Sequence, residues 1–229
     1  MDAALETRNL SGRHVPGPLA AMSRQHTVTL AFTGASGMPY GVRLLECLLQ
    51  AGSRVYLIYS QAAQIVARQE MNLSLPARAK ETQAFFEERF SAETDQLQVF
   101  GREEWFAPVA SGSNPATAMV ICPCTMGTLA SIACGLSDNL IERAADVMLK
   151  EHRPLILVPR ETPLSAIHLE NMLRLSRAGA IILPANPGFY HHPDSVEALI
   201  DFVVARILDQ LGVEHTLMSR WGSERDAAN

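Results

Sequence analysis

Apolar residues fall along this chain in two textures, short continuous runs and longer stretches that recur every three to four positions. The runs Thr27–Phe32 and Arg54–Tyr59, and those over residues 118–122 and 154–159, read as buried strands, with Leu97–Phe100 and residues 180–183 as shorter ones. Between them the helical period appears. Val42, Leu45, Leu48 and Leu49 mark a helix over 40–50 that Gly52 ends, and Ala62, Ile65 and Val66 mark a second over 61–70 behind a Ser60 cap. Further helices are predicted over 80–90, 126–134 (stopped by Gly135), 139–151, 167–177 and 195–211. Four core strands alternating with helices predict one α/β domain, a doubly wound, mostly parallel sheet of Rossmann-like or flavodoxin-like type spanning 25–229. Residues 1–24, with Pro16, Pro18 and no apolar period, read as a disordered extension.

Candidate chemistry gathers where strands hand over to helices. Thr33-Gly34-Ala35-Ser36-Gly37-Met38-Pro39-Tyr40-Gly41 joins the first strand to the first helix, and its G-x-x-G spacing lacks the full dinucleotide fingerprint. The second strand ends in Ser60 where a dinucleotide fold usually places an acidic ribose partner, so a mononucleotide or flavin is expected before NAD. Free N–H groups and a helix dipole favour an anion or electron-rich ring there. Pro123-Cys124-Thr125-Met126-Gly127-Thr128 forms a second such cradle, and Arg160-Glu161 follow the strand over 154–159. Glu70 stands at the C-terminal end of its helix, where the macrodipole disfavours a carboxylate. Arg206 falls beside Leu199 and Phe202 on an apolar flank, where an arginine needs an anionic partner.

Composition narrows the setting. A formal net charge of −5 gives no general attraction to nucleic acid or anionic membranes, so anion binding rests on a few placed cations. No apolar run reaches the roughly 20 residues that span a bilayer, and no signal-peptide core is present, which leads to the expectation of a cytoplasmic protein. Cys47, Cys122, Cys124 and Cys134 match no metal spacing and are expected to be reduced.

Six motifs in order resemble the flavin prenyltransferase family, the UbiX-type proteins of ubiquinone biosynthesis. They are Thr-Gly-Ala-Ser-Gly from Thr33, Ser111-Gly112-Ser113, Cys-Pro-Cys-Thr-Met-Gly-Thr-Leu from Cys122, Glu-Arg-Ala-Ala-Asp-Val from Glu142, Pro-Arg-Glu-Thr-Pro from Pro159, and Gly188-Phe189-Tyr190-His191. The resemblance implies an FMN site built from Gly34, Ala35, Ser36, Ser60, Thr125, Met126, Gly127, Thr128 and Arg160. It implies that Tyr190 and Arg206 hold the phosphate of dimethylallyl monophosphate with Arg143, Lys150, Arg160 and Glu161 close by. Trp105 lines the apolar end and Trp221 belongs to the same substrate set. The implied reaction joins the prenyl group to N5 of reduced FMN and then closes a ring at C6, with Glu70 as general base and Ser36 and Glu161 relaying protons. The product serves a partner UbiD-type decarboxylase. Homododecamers with active sites shared between subunits are implied as well. No Asp-rich motif is present to hold the Mg²⁺ that a diphosphate leaving group requires, so no metal is expected. Two rivals remain: a flavin-dependent cysteinyl decarboxylase, whose Pro-x-Met-Asn-x-x-Met-Trp stretch is replaced here by Pro159-Arg160-Glu161-Thr162-Pro163-Leu164, and a flavin-binding or delivery protein without chemistry of its own.

Overall fold

The computed structural model describes residues 26–218, so the expectations for residues 1–24 and for Trp221 lie outside the described residues. Its strands are β1 (Thr27–Phe32), β2 (Arg54–Tyr59), β3 (Leu97–Phe100), β4 (Ala118–Cys124), β5 (Leu155–Pro159) and β6 (Ile181–Ile182). The helices are α1 (Met38–Gln50), α2 (Gln61–Met71), α3 (Ala79–Phe90), α4 (Met126–Ala133), α5 (Leu140–Lys150), α6 (Ala166–Arg177) and α7 (Val196–Leu211). All strand pairs are parallel, in the order β3-β2-β1-β4-β5-β6. That is the Rossmann order, and it selects between the two topologies the sequence allowed.

The sheet is buried on both faces, which explains why its strands read as runs instead of alternations. Val28, Leu30 and Phe32 of β1 pack with Val120 and Cys122 of β4 and with α1 and α7 on one face. Ala31, Met119 and Ile121 pack with α4 and α5 on the other. α1 and α7 lie side by side and start at the same edge, since Arg43, five residues into α1, meets Asp201, five residues into α7, at 2.7 Å. Gly41 permits α1 to sit directly on β4: a Cβ there would run into the carbonyl oxygen of Cys122. Overpacking of this kind costs about 1–3 kcal/mol or more.

The pairing of β4 with β5 slips between Ile121 and Cys124, at Pro123, which has no N–H to donate. Cys122 therefore belongs to one face of the sheet while Cys124, two residues on, joins the other. α6 is the least covered helix. Leu175 is its one buried residue, while Ile167, Leu169 and Leu173 are at least half exposed.

Candidate functional site

The strand order reverses its direction of growth between β1 and β4, so a crevice opens outside their carboxyl ends. Thr33 ties its two sides together. Its hydroxyl donates to the Pro123 carbonyl at 2.7 Å and accepts the Thr125 N–H at 2.8 Å, and its own N–H also reaches Pro123. The Thr33–Pro123 contacts carry on the β1–β4 register, in which Val28 faces Ala118 and Ala31 faces Ile121. Only 1% of Thr33 is exposed, so Thr33→Val would leave the Thr125 N–H without that acceptor. An unmet buried donor costs about 1–3 kcal/mol. Thr33→Val is expected to lower Tm by roughly 2–10 °C, measured by calorimetry.

Three helices begin at this crevice. α1 starts from Gly37, held at φ +114°, a conformation that favours glycine. α2 starts from Ser60, whose hydroxyl accepts the Ala63 N–H at 3.1 Å, and α4 from Thr125, which accepts the Thr128 N–H at 3.1 Å. Gly34 lies against Ala62 so closely that a Cβ would collide, which presses the first turn of α2 onto the β1–α1 turn.

Glu70 resolves the conflict seen in sequence. It does stand in the last turn of α2, yet its carboxylate accepts the N–H of Gly37 at 3.0 Å and that of Met38 at 2.9 Å. It thus caps the N-terminus of α1, whose dipole favours a negative charge. Both ends of α2 consequently lie at the carboxyl edge of the sheet, and the helix runs across that edge as a wall of the crevice. Ala35, in the turn, is buried and Ser36 beside it is partly exposed. Arg160 and Glu161 leave the end of β5 exposed to solvent, with Glu161 accepting the Thr162 N–H at 3.2 Å.

Tyr40 is a site residue that the sequence reading missed. Its ring covers Gly37, and burial chiefly holds its phenol above the usual range. The nearby Cys122 and Glu70 act in the same sense while the Arg160 guanidinium opposes them, so the phenol lies within electrostatic reach of both flanks of the crevice. Tyr40 stands in the first turn of α1, three residues after Gly37. The thiols behind the crevice are inert: burial raises that of Cys122 and pushes that of Cys124 up to about 12.

The other expected members lie on α5, α7 and the connecting loops. Lys150 closes α5 in an ion pair with Glu151, against the backbone of Gly112. It precedes β5, whereas Arg160 follows it, so about 16 Å of strand separates their levels. Arg143 donates to the Ala110 carbonyl at 3.0 Å and pairs with Asp146 at 2.7 Å. Arg206 corrects the expectation of a cation inside an apolar flank: its side chain is 53% exposed and pairs with Asp209 at 2.6 Å. It sits ten residues into α7, about 15 Å below the carboxyl edge, in a groove of about 400 Å³ beside β6. Tyr190 packs edge-on against Phe202 and is 55% exposed, and Trp105 is 45% exposed in the connection after β3. A single subunit therefore brings the residues expected to hold the flavin together with Glu70, whereas its Lys150 and Arg206 lie well below the carboxyl edge; Arg143 stands in the first turn of α5, whose start is tied to Arg102 just past β3. Among the described residues no three His, Cys, Asp or Glu side chains are grouped to hold a metal ion, and no helix is long and apolar enough to cross a membrane.

A model of the Flavoprotein family matches residues 17–208. Over 203 residues the chain is 57% identical to the flavin prenyltransferase UbiX of Pseudomonas aeruginosa, covering 89% of this chain and 97% of the relative. The crystal structure of AnUbiX (PadA1) in complex with FMN and dimethylallyl pyrophosphate superposes with a TM-score of 0.77 at 40% identity, covering 87% and 99% of the two chains. A dodecameric FMN-dependent Ubix-like decarboxylase from Escherichia coli O157:H7 does so at 0.75 and 41%, covering 86% and 100%.

Proposed function

The chain belongs to the Flavoprotein family and stands within it among the UbiX flavin prenyltransferases, and from that footing we propose how its residues divide the work of prenylating FMN. The residues at the crevice suit FMN. Three helix N-termini converge on it, a guanidinium stands at its rim, and an oxygen- and nitrogen-rich ligand finds hydroxyls at Ser36, Ser60, Thr125 and Thr128. Gly34, Ala35, Ser36, Ser60, Thr125, Met126, Gly127, Thr128 and Arg160 would hold it. Bound in reduced form, FMN supplies N5 and C6 as the two points to which the dimethylallyl group of dimethylallyl monophosphate is joined.

The observation that carries the assignment of chemistry is Glu70. A carboxylate from the far end of α2 is fixed by two backbone N–H groups next to Ser36, in the crevice that would hold the flavin, and there it would serve as the base that takes the C6 proton. Ser36 and Glu161 relay protons near N5. Arg143, Lys150, Arg160, Tyr190 and Arg206 hold the donor phosphate and stabilise its charge as it leaves, and Trp105 with Trp221 shields the prenyl chain from water. Within one subunit Lys150 and Arg206 stand far from the crevice level, so they serve it across subunit boundaries in a homo-oligomer, for which the dodecameric relative is the precedent. The uncovered face of α6 gives such an assembly apolar surface to bury. The prenylated FMN passes to a UbiD-type decarboxylase, and four unpaired thiols fit a reducing cytoplasm. The cysteinyl decarboxylase rival is not favoured, because the relatives with the higher identities are prenyltransferases.

One anaerobic incubation tests the reading: protein, reduced FMN and either dimethylallyl monophosphate or the diphosphate. The expected result is release of inorganic phosphate and a flavin heavier by one dimethylallyl group, formed from the monophosphate. Tight FMN binding with unmodified flavin would instead favour a delivery protein.

A further inference from the structure

Arg206 does not stand alone on α7. Its Nη1 donates to one carboxylate oxygen of Asp209 at 2.6 Å, one helical turn on, and the other oxygen of Asp209 faces Nε2 of His215 at 3.3 Å. His215 lies beyond the end of α7, on the segment that folds back beside the end of α1, and its side chain is 14% exposed. Its Nδ1 is buried with no hydrogen-bond partner among the described residues. A neutral imidazole that donates through Nε2 leaves Nδ1 as an acceptor, which fixes the tautomer this contact requires. The three side chains thus form one line from a mostly buried ring to a half-exposed guanidinium.

We propose that Asp209, backed by His215, is a positioning residue that aims the Arg206 guanidinium at the donor phosphate. This rests on the reading of Arg206 as a phosphate contact. Arg206 reaches its groove on a long flexible stem, and a guanidinium tied down through Nη1 presents its other edge in a defined direction. A carboxylate so close to a bound phosphate would by itself repel it. The His215 N–H on the second oxygen shares out that charge, and this accounts for a third member in the line. The His215 contact also couples the aim of Arg206 to the chain segment after α7.

The test is a double-mutant cycle on the FMN-loaded enzyme, following KM for dimethylallyl monophosphate, kcat and FMN retention. Asp209→Ala is expected to raise KM about threefold to fivefold, as suits a half-exposed ion pair, with kcat within about twofold and FMN retained. His215→Leu should move KM in the same direction, and His215→Gln, which keeps a donor near the Nε2 position, should recover most of the loss. In an Arg206→Ala background, Asp209→Ala should add nothing. An equal further rise in KM in that background would show that Asp209 acts without Arg206 and would overturn the proposal. A normal KM for Asp209→Ala beside a raised one for Arg206→Ala would overturn it while leaving the phosphate role of Arg206 intact. A normal KM for Arg206→Ala would remove both.

Discussion

Lys150→Ala and Arg160→Ala, each reduced about a hundredfold or more as a pure oligomer, recover about one quarter of wild-type activity when the two variants are co-assembled in equal amounts. The expectation follows from topology. Lys150 ends α5 before β5 begins, and Arg160 lies past the end of that strand, so one subunit cannot offer both to one small phosphate. If a site takes Arg160 from one subunit and Lys150 from another, random assembly leaves about one site in four with both groups intact. If each site used a single subunit, every site would lack one group and mixing would recover nothing. Co-expression with two affinity tags, tandem purification of the mixed oligomer and measurement of prenylated flavin per site decide between the two. Activity no higher than that of the separate variants would remove the shared-site reading.

Glu70→Gln is expected to separate the two bond-forming steps. Attachment at N5 needs departure of phosphate and a dry pocket, whereas closure at C6 also needs a proton removed. Loss of a general base costs on the order of 10² to 10⁴ in rate, enough for the singly attached product to accumulate. That product and the ring-closed flavin are isomers, so absorbance and proton NMR must accompany mass analysis. The capping role of Glu70 complicates the variant in a calculable way. Glutamine keeps one acceptor oxygen for Gly37 and Met38, so the helix end loses charge while retaining a hydrogen bond, with a cost of about 0.3–1 kcal/mol. A fall in Tm of a few degrees with normal ring closure would therefore assign Glu70 to structure alone. Wild-type stability with trapped product would assign it to chemistry.

What was legible in the sequence is what neighbouring residues decide. The core strands were readable because they are buried on both faces, and β1 and β2 coincide with their predicted bounds. Helix starts were readable where a side chain caps its own helix, as Ser60, Thr125, Asn139 and Ser195 do. The reading failed where the partner is distant. Glu70 looked misplaced because the helix it caps starts 32 positions earlier. Thr33 looked like the first letter of a turn, although its hydroxyl bridges to residues 90 and 92 positions away. Arg206 was placed correctly on α7 but on the wrong side of its wheel, although Asp209, three residues on and so on the same face, was a local sign of an exposed ion pair. Tyr40 passed as part of a helix start, since nothing local announces that its ring covers Gly37.

The Glu70 cap also governs how negative charge is shared out in the crevice. FMN brings a phosphate dianion, and a carboxylate already stands at one of the three positive helix ends. Were both anions to compete for the Gly37 and Met38 amides, their mutual repulsion would weaken flavin binding and draw protons onto one of them. On the proposed reading, Glu70 seated on α1 would leave the ends of α2 and α4 to the incoming dianion, where Ser60, Thr125 and Thr128 supply neutral hydroxyls. The fold would then separate the two anions by giving each a different helix end, with backbone dipoles and the three hydroxyls keeping the proton-accepting and phosphate-holding ends of the site apart.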